Sequence, residues 1–113
     1  MPKQNLNDES TPAAVTEAVS QLGANINTAR LRRRLTQDDL AKKAGISKET
    51  MSRVEAGRVT TSIAAYAAAL WALGLHRDLA DVGSPESDEE GTLLAAAGLG
   101  RRARPLRTLD DDF

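Results

Sequence analysis

Lys48, Glu49, Ser52 and Arg53 place two cationic donors, a carboxylate and a hydroxyl within one short segment. In a helix, residues three and four apart are neighbours, so these side chains share one face. Such a set can recognise flat groups met edge-on. Arginine or lysine donates to guanine O6 and N7, and a glutamate accepts from cytosine N4. Thr50 lies among them and is counted with the candidate binding residues. Glu49 repels phosphate, which makes it a reader or a specificity filter rather than an affinity contact. No comparable set argues for catalysis. His76 is the only histidine and has no serine, acid and base arranged around it. No enzymatic activity or cofactor is expected, and no metal either, since Asp110, Asp111 and Asp112 could meet a divalent cation but an acidic tail expected to be exposed rarely forms a closed site.

Side chains that read an edge must be held by something rigid, and the flanking residues describe the support. Thr36, with Asp39 three positions on, forms a capping box that opens a helix. Leu40, Ala41 and Ala44 give that helix an apolar face, and Gly45 supplies the left-handed position that ends it. Ile46 anchors the turn, Ser47 caps the next helix, Met51 and Val54 face inward, and Gly57 closes it. Two short helices joined by a tight, glycine-containing turn, with a small residue at their crossing, are what a helix-turn-helix requires. Its second helix can enter the major groove of DNA. The competing reading is a plain helical hairpin with a solvated charged face. Agreement of apolar, small, glycine and capping positions from Thr36 to Gly57 favours the first.

The charge pattern points the same way. Net charge over the 113 residues is -1, yet from Leu22 to Arg77 ten basic residues face four acidic ones. Arg32, Arg33, Arg34, Lys43 and Arg58 are candidates for a phosphate footprint, although surface arginines are often merely solvated. From Asp78 to Glu90 there are six acids and no base, an acidic appendage behind a basic domain. Hydrophobic content is 41% and aromatic content 3%, so the core must be built from alanine and aliphatic side chains. Absence of cysteine excludes disulfides and thiolate metal sites. No signal pattern or membrane-length apolar run is present, so a soluble, cytoplasmic protein is expected.

Around the motif, Thr11 is expected to cap a first helix with Pro12 at its first position, running to Arg34 with Gly23 as a possible break. A fourth helix opens at Ser62 with the stripe Ile63, Tyr66, Ala67, Leu70 and Leu73 and ends at Gly74. Beside it runs a second stripe, Ala64, Ala68, Trp71 and Leu75. Trp71 either completes the small core or forms a dimer surface. His76 to Val82 reads as a short helix without strand alternation. Ser87 with Glu90 suggests a further capping box, followed by a helix through Leu99. The expected organisation is a disordered 1–11, a DNA-binding domain over 12–82, an acidic linker and short helix over 83–100, and a tail over 101–113. In the tail, arginines 101, 102, 104 and 107 precede Leu109, three aspartates and Phe113.

The segment Thr36-Gln37, Leu40-Ala41, Gly45-Ile46-Ser47, Ser52-Arg53, Glu55 and Gly57 resembles the Cro/C1-type (XRE) helix-turn-helix family. The resemblance spans about Leu22 to Leu75. It implies an all-α, compact four- or five-helix lambda-repressor-like bundle with flexible termini, binding a palindromic DNA operator as a homodimer. It implies that Gln37 touches a phosphate and buttresses the recognition helix. Lys48, Glu49, Ser52 and Arg53 fall where the family reads bases, and Arg30 and Glu55 where many members hold a buried ion pair. The layout beyond this core is similar to HipB-type antitoxins, which implies autorepression and a HipA-like serine/threonine kinase toxin as partner. A stand-alone XRE regulator without a toxin is the alternative.

Overall fold

The computed structural model describes residues 7–98. Their regular elements are all helical, with no strand among the described residues: α1 (Ala13–Arg32), α2 (Gln37–Ala44), α3 (Lys48–Glu55), α4 (Ile63–Ala72), α5 (His76–Ala80) and α6 (Glu89–Ala96), with a 3-10 turn at Pro85–Ser87. The chain divides into two compact units between Leu79 and Ala80. His76 to Val82, read as helix rather than strand, is helical up to Ala80.

In the first unit α2 packs on α3 and α4, and α1 crosses α3. Their shared core holds Ile26, Leu40, Met51 and Val54, all at 0% exposure, with Tyr66, Ala69 and Leu70 supplied by α4. A core with so few aromatics closes only if its helices approach tightly, and alanine provides that: Ala41, where α2 meets α3, is 1% exposed. The Tyr66 hydroxyl donates to the Arg58 carbonyl at 2.7 Å, tying α4 to the loop after α3. Burial pushes the Tyr66 phenol above its ordinary pKa.

Local capping sets the helix starts. Thr36 accepts from the Asp39 backbone N–H while the Asp39 carboxylate accepts from the Thr36 N–H, a complete capping box. The backbone and hydroxyl donors of Thr36 hold the Asp39 carboxyl below its ordinary pKa. Ser47 and Ser62 cap α3 and α4 with a single bond each, their hydroxyls accepting from the Thr50 and Ala65 backbone N–H groups. Gly45 has φ 75° with open space around it, so backbone conformation alone selects glycine there.

Three sequence expectations are corrected, and one left open, the break at Gly23, is settled. Helix α1 is unbroken at Gly23. A Cβ on Gly23 would lie 2.6 Å from the Val54 carbonyl oxygen and 2.7 Å from the Gly57 nitrogen, so this glycine permits helix crossing instead of a kink. Thr11 does not cap α1: its hydroxyl turns back to the Asn7 carbonyl, and Pro12 occupies the cap position without a side-chain bond. Ile63, placed in the inward stripe of α4, is 65% exposed, while Ala65 and Ala69 face the core. The cap of α6 is Asp88, which accepts from Gly91, because Ser87 is already held within the 3-10 turn. Residues from Leu99 onward, including the arginine cluster and the Leu109–Phe113 end, lie outside the described residues.

Candidate nucleic-acid interface

Helix α3 has two faces because its eight residues bury only Met51 and Val54. The opposite face carries Lys48, Glu49, Ser52 and Arg53, all exposed. Thr50 is half-buried at its edge; its backbone N–H donates to Ser47 Oγ at 3.0 Å and its hydroxyl takes a 2.9 Å bond from Ser47. Thr50 and Arg53 line an open polar cleft of about 380 Å³ together with Thr60, Thr61 and Ser62. Thr61 Oγ1 is buried without a hydrogen-bond partner among the described residues. Hydroxyls and a guanidinium around an open cleft suit an anionic oxygen. Thr60 to Ser62 were not singled out from sequence, since serine and threonine between two helices read equally well as a turn.

The orientation of this face is controlled from the far end of α3. Glu55, 4% exposed at its side chain, accepts from Arg30 Nε at 2.7 Å and from Arg30 Nη2 at 3.0 Å. The same carboxylate accepts from Asn27 Nδ2 at 2.8 Å and from Gln37 Nε2 at 3.0 Å. Arg30 also donates to the Leu35 carbonyl at 2.7 Å. One carboxylate therefore joins α1, the start of α2 and the end of α3. Desolvation pushes the Glu55 carboxyl up, but the hydrogen bonds from Arg30, Asn27 and Gln37, with the charge of Arg30, outweigh it and hold the pKa below normal. Gln37, at the start of α2, reaches the end of α3 through this bond to Glu55. Asn27 was missed, although its position three residues before Arg30 places it on the same helix face.

Behind the strut lies a close backbone approach. Gly23 of α1 meets the end of α3, and a Cβ on Gly57 (φ 70°) would lie 2.5 Å from the Ser20 Cα. Neither position tolerates a side chain without moving a helix. This pair fixes the distance between α1 and α3, while Glu55 fixes their rotation.

The candidate phosphate-binding residues are scattered more widely. Lys43 is exposed on α2, and Arg34 is exposed at φ 57° in the turn after α1. Arg33 donates to the Ala29 carbonyl of its own helix at 2.8 Å. Arg32 and Arg33 line a surface groove with Asn25, Thr28, Ala29 and Leu75. Arg58, in the loop after α3, pairs with Asp8 at 3.0 Å. Trp71 is 58% exposed on α4 and so does not complete the core. His76 is exposed. Among the described residues no group of three or more acidic, histidine or cysteine side chains is placed to hold a metal, and no helix is long and apolar enough to cross a membrane.

Comparison with curated proteins finds no match, and comparison with solved structures finds none. A family model described as helix-turn-helix domain matches residues 21–82, more than half of the chain and the whole of α2, α3 and α4. With two capped helices joined at Gly45, a solvent-facing α3 and a buried strut behind it, the chain belongs to the helix-turn-helix domain family, of the XRE-like type.

Proposed function

We propose that this chain is a sequence-specific transcriptional repressor that reads a palindromic operator with α3. The observation that carries this reading is the face of Lys48, Glu49, Ser52 and Arg53, exposed while the helix beneath is pinned by Glu55. Base discrimination needs side chains whose backbone does not move, and a buried four-bond carboxylate supplies that. Lys48 and Arg53 donate to guanine, Glu49 accepts from cytosine, and the cleft of Thr50, Thr60 and Ser62 takes a flanking phosphate. Arg34, Lys43 and Arg58 add sequence-independent attraction. A homodimer aligns two such helices on half-sites about one helical turn apart. Trp71, exposed beside Ala64 and Ala68, is the surface for that pairing.

Binding to the chain's own promoter, compared between wild type and Arg53→Ala, tests the reading. Loss of an arginine contact to guanine costs about 1–3 kcal/mol and relaxes preference at one position of each half-site. An unchanged sequence preference defeats the assignment of α3.

A second role, antitoxin to a HipA-like kinase, is supported by the second unit. Its helix α6 carries Glu89 and Glu90 and leaves Leu93 70% exposed and Leu94 45% exposed, an acidic and apolar face suited to a protein partner. A kinase reading frame beside this one, and co-purification of its product with the chain, are the expected results. Absence of both leaves the stand-alone regulator.

A further inference from the structure

We propose that Asp8 sets the affinity of this chain for DNA by holding the Arg58 guanidinium in the place of a backbone phosphate. The inference rests on the DNA-binding reading of α3 and adds an acidic residue that works against it.

Asp8 sits on a built turn. The Asn7 side-chain oxygen accepts from the backbone N–H groups of Glu9 and Ser10, both at 2.9 Å, and the Asn7 N–H donates to Ser10 Oγ at 3.1 Å. The Thr11 N–H donates to the Asn7 carbonyl at 3.0 Å, and Thr11 is 9% exposed, which anchors the turn to the start of α1. These bonds leave the Asp8 carboxylate to project, and it meets Arg58 Nη2 at 3.0 Å.

Arg58 is fixed on the other side. Its N–H donates to the Arg53 carbonyl at 3.1 Å, and its own carbonyl takes the Tyr66 hydroxyl at 2.7 Å. The loop that carries it therefore moves with α3, and it follows directly on the helix that bears Arg53. Both partners of the pair are well exposed, 46% for Arg58 and 60% for Asp8. An ion pair so open to water holds weakly and can be exchanged for another anion. The Arg30–Glu55 pair, at 10% and 4%, has no such freedom.

A carboxylate on Arg58 has a measurable consequence. DNA binding gains from counterions that leave the duplex when a cation neutralises a phosphate. An arginine that must first give up Asp8 contributes less of that gain, and the loss falls on every sequence alike. Asp8 therefore lowers affinity for specific and nonspecific duplexes alike, while the base contacts of α3 and the ratio between the two stay untouched.

The test uses the full chain and a random-sequence duplex of about two helical turns. Binding is titrated between about 50 and 200 mM salt for wild type, Asp8→Asn, Arg58→Gln and the double variant. Asp8→Asn is expected to bind roughly two- to fivefold tighter, with a salt slope steeper by about 0.9. In the Arg58→Gln background the same change is expected to do nothing. Equal affinity and slope for wild type and Asp8→Asn overturn the proposal while leaving DNA binding intact. An equal gain with and without Arg58 also overturns it, since that is general charge removal. A wild-type chain with no salt-dependent duplex binding overturns the DNA reading and this inference together.

Discussion

Helices α3 and α6 are each eight residues long, each opened by a side-chain cap and each with glutamate in its first turn. They differ in what holds them. Helix α3 buries Met51 and Val54 completely and ends on a carboxylate bonded to three side chains. Helix α6 buries none of its residues. Capping decides where a helix begins, whereas its orientation comes from burial and from bonds to other elements. Reading base edges demands orientation, and of the two helices only α3 has it, which is what the proposed reading role rests on. An unburied, acidic and apolar helix suits a partner that supplies the missing contacts.

Cutting the strut breaks this contrast most severely. Glu55→Gln strands the buried Arg30 cation and should lower the stability of the unit by about 3–5 kcal/mol, read by urea unfolding at neutral pH. The effect is pH-dependent with a definite sign. The Glu55 pKa is lower folded than unfolded, so its contribution is fully present above the ordinary value of 4.5 and fades as pH falls through the folded value. The gap between wild type and Glu55→Gln should narrow on acidification below 4.5. A gap that stays constant would place the stabilisation elsewhere.

Gly23→Ala comes next. Alanine favours a helix interior by about 1 kcal/mol, but here its methyl meets backbone atoms of α3 and the following loop, which have nowhere to retreat. A net loss of about 1–3 kcal/mol is expected. A more stable variant would show that the crossing can open freely.

The smallest effect sharpens the comparison. Ser47→Ala removes the cap of α3 and should cost about 1 kcal/mol of the cooperative unfolding of the first unit. Asp88→Ala removes the equivalent bond in α6 and should reduce helicity locally, leaving that transition in place. Circular dichroism alongside a calorimetric melt separates the two, and equal shifts in the main transition would make α6 part of the same cooperative core.

The sequence by itself determined the local events. Thr36 with Asp39, Gly45, Ser47 and Ser62 act through neighbours within a few residues, so their roles are written in order along the chain. The alternation of apolar and polar positions in α2 and α3 likewise displayed the inward and outward faces, which is why the candidate reading residues were legible.

Tertiary structure decided everything that depends on a second element. Whether Gly23 breaks α1 stayed open because its reason for being glycine is a backbone some thirty residues away. Asn27 was silent until Glu55 was placed beside it, and Asp8 until it met Arg58 fifty residues on. Ile63 was assigned inward by helical period alone, and four helices around a small alanine core turn it outward; the same packing leaves Trp71, for which core and surface were both open, exposed. Capping and periodicity are properties of one segment, whereas close approach, shared carboxylates and exposure arise only when segments meet.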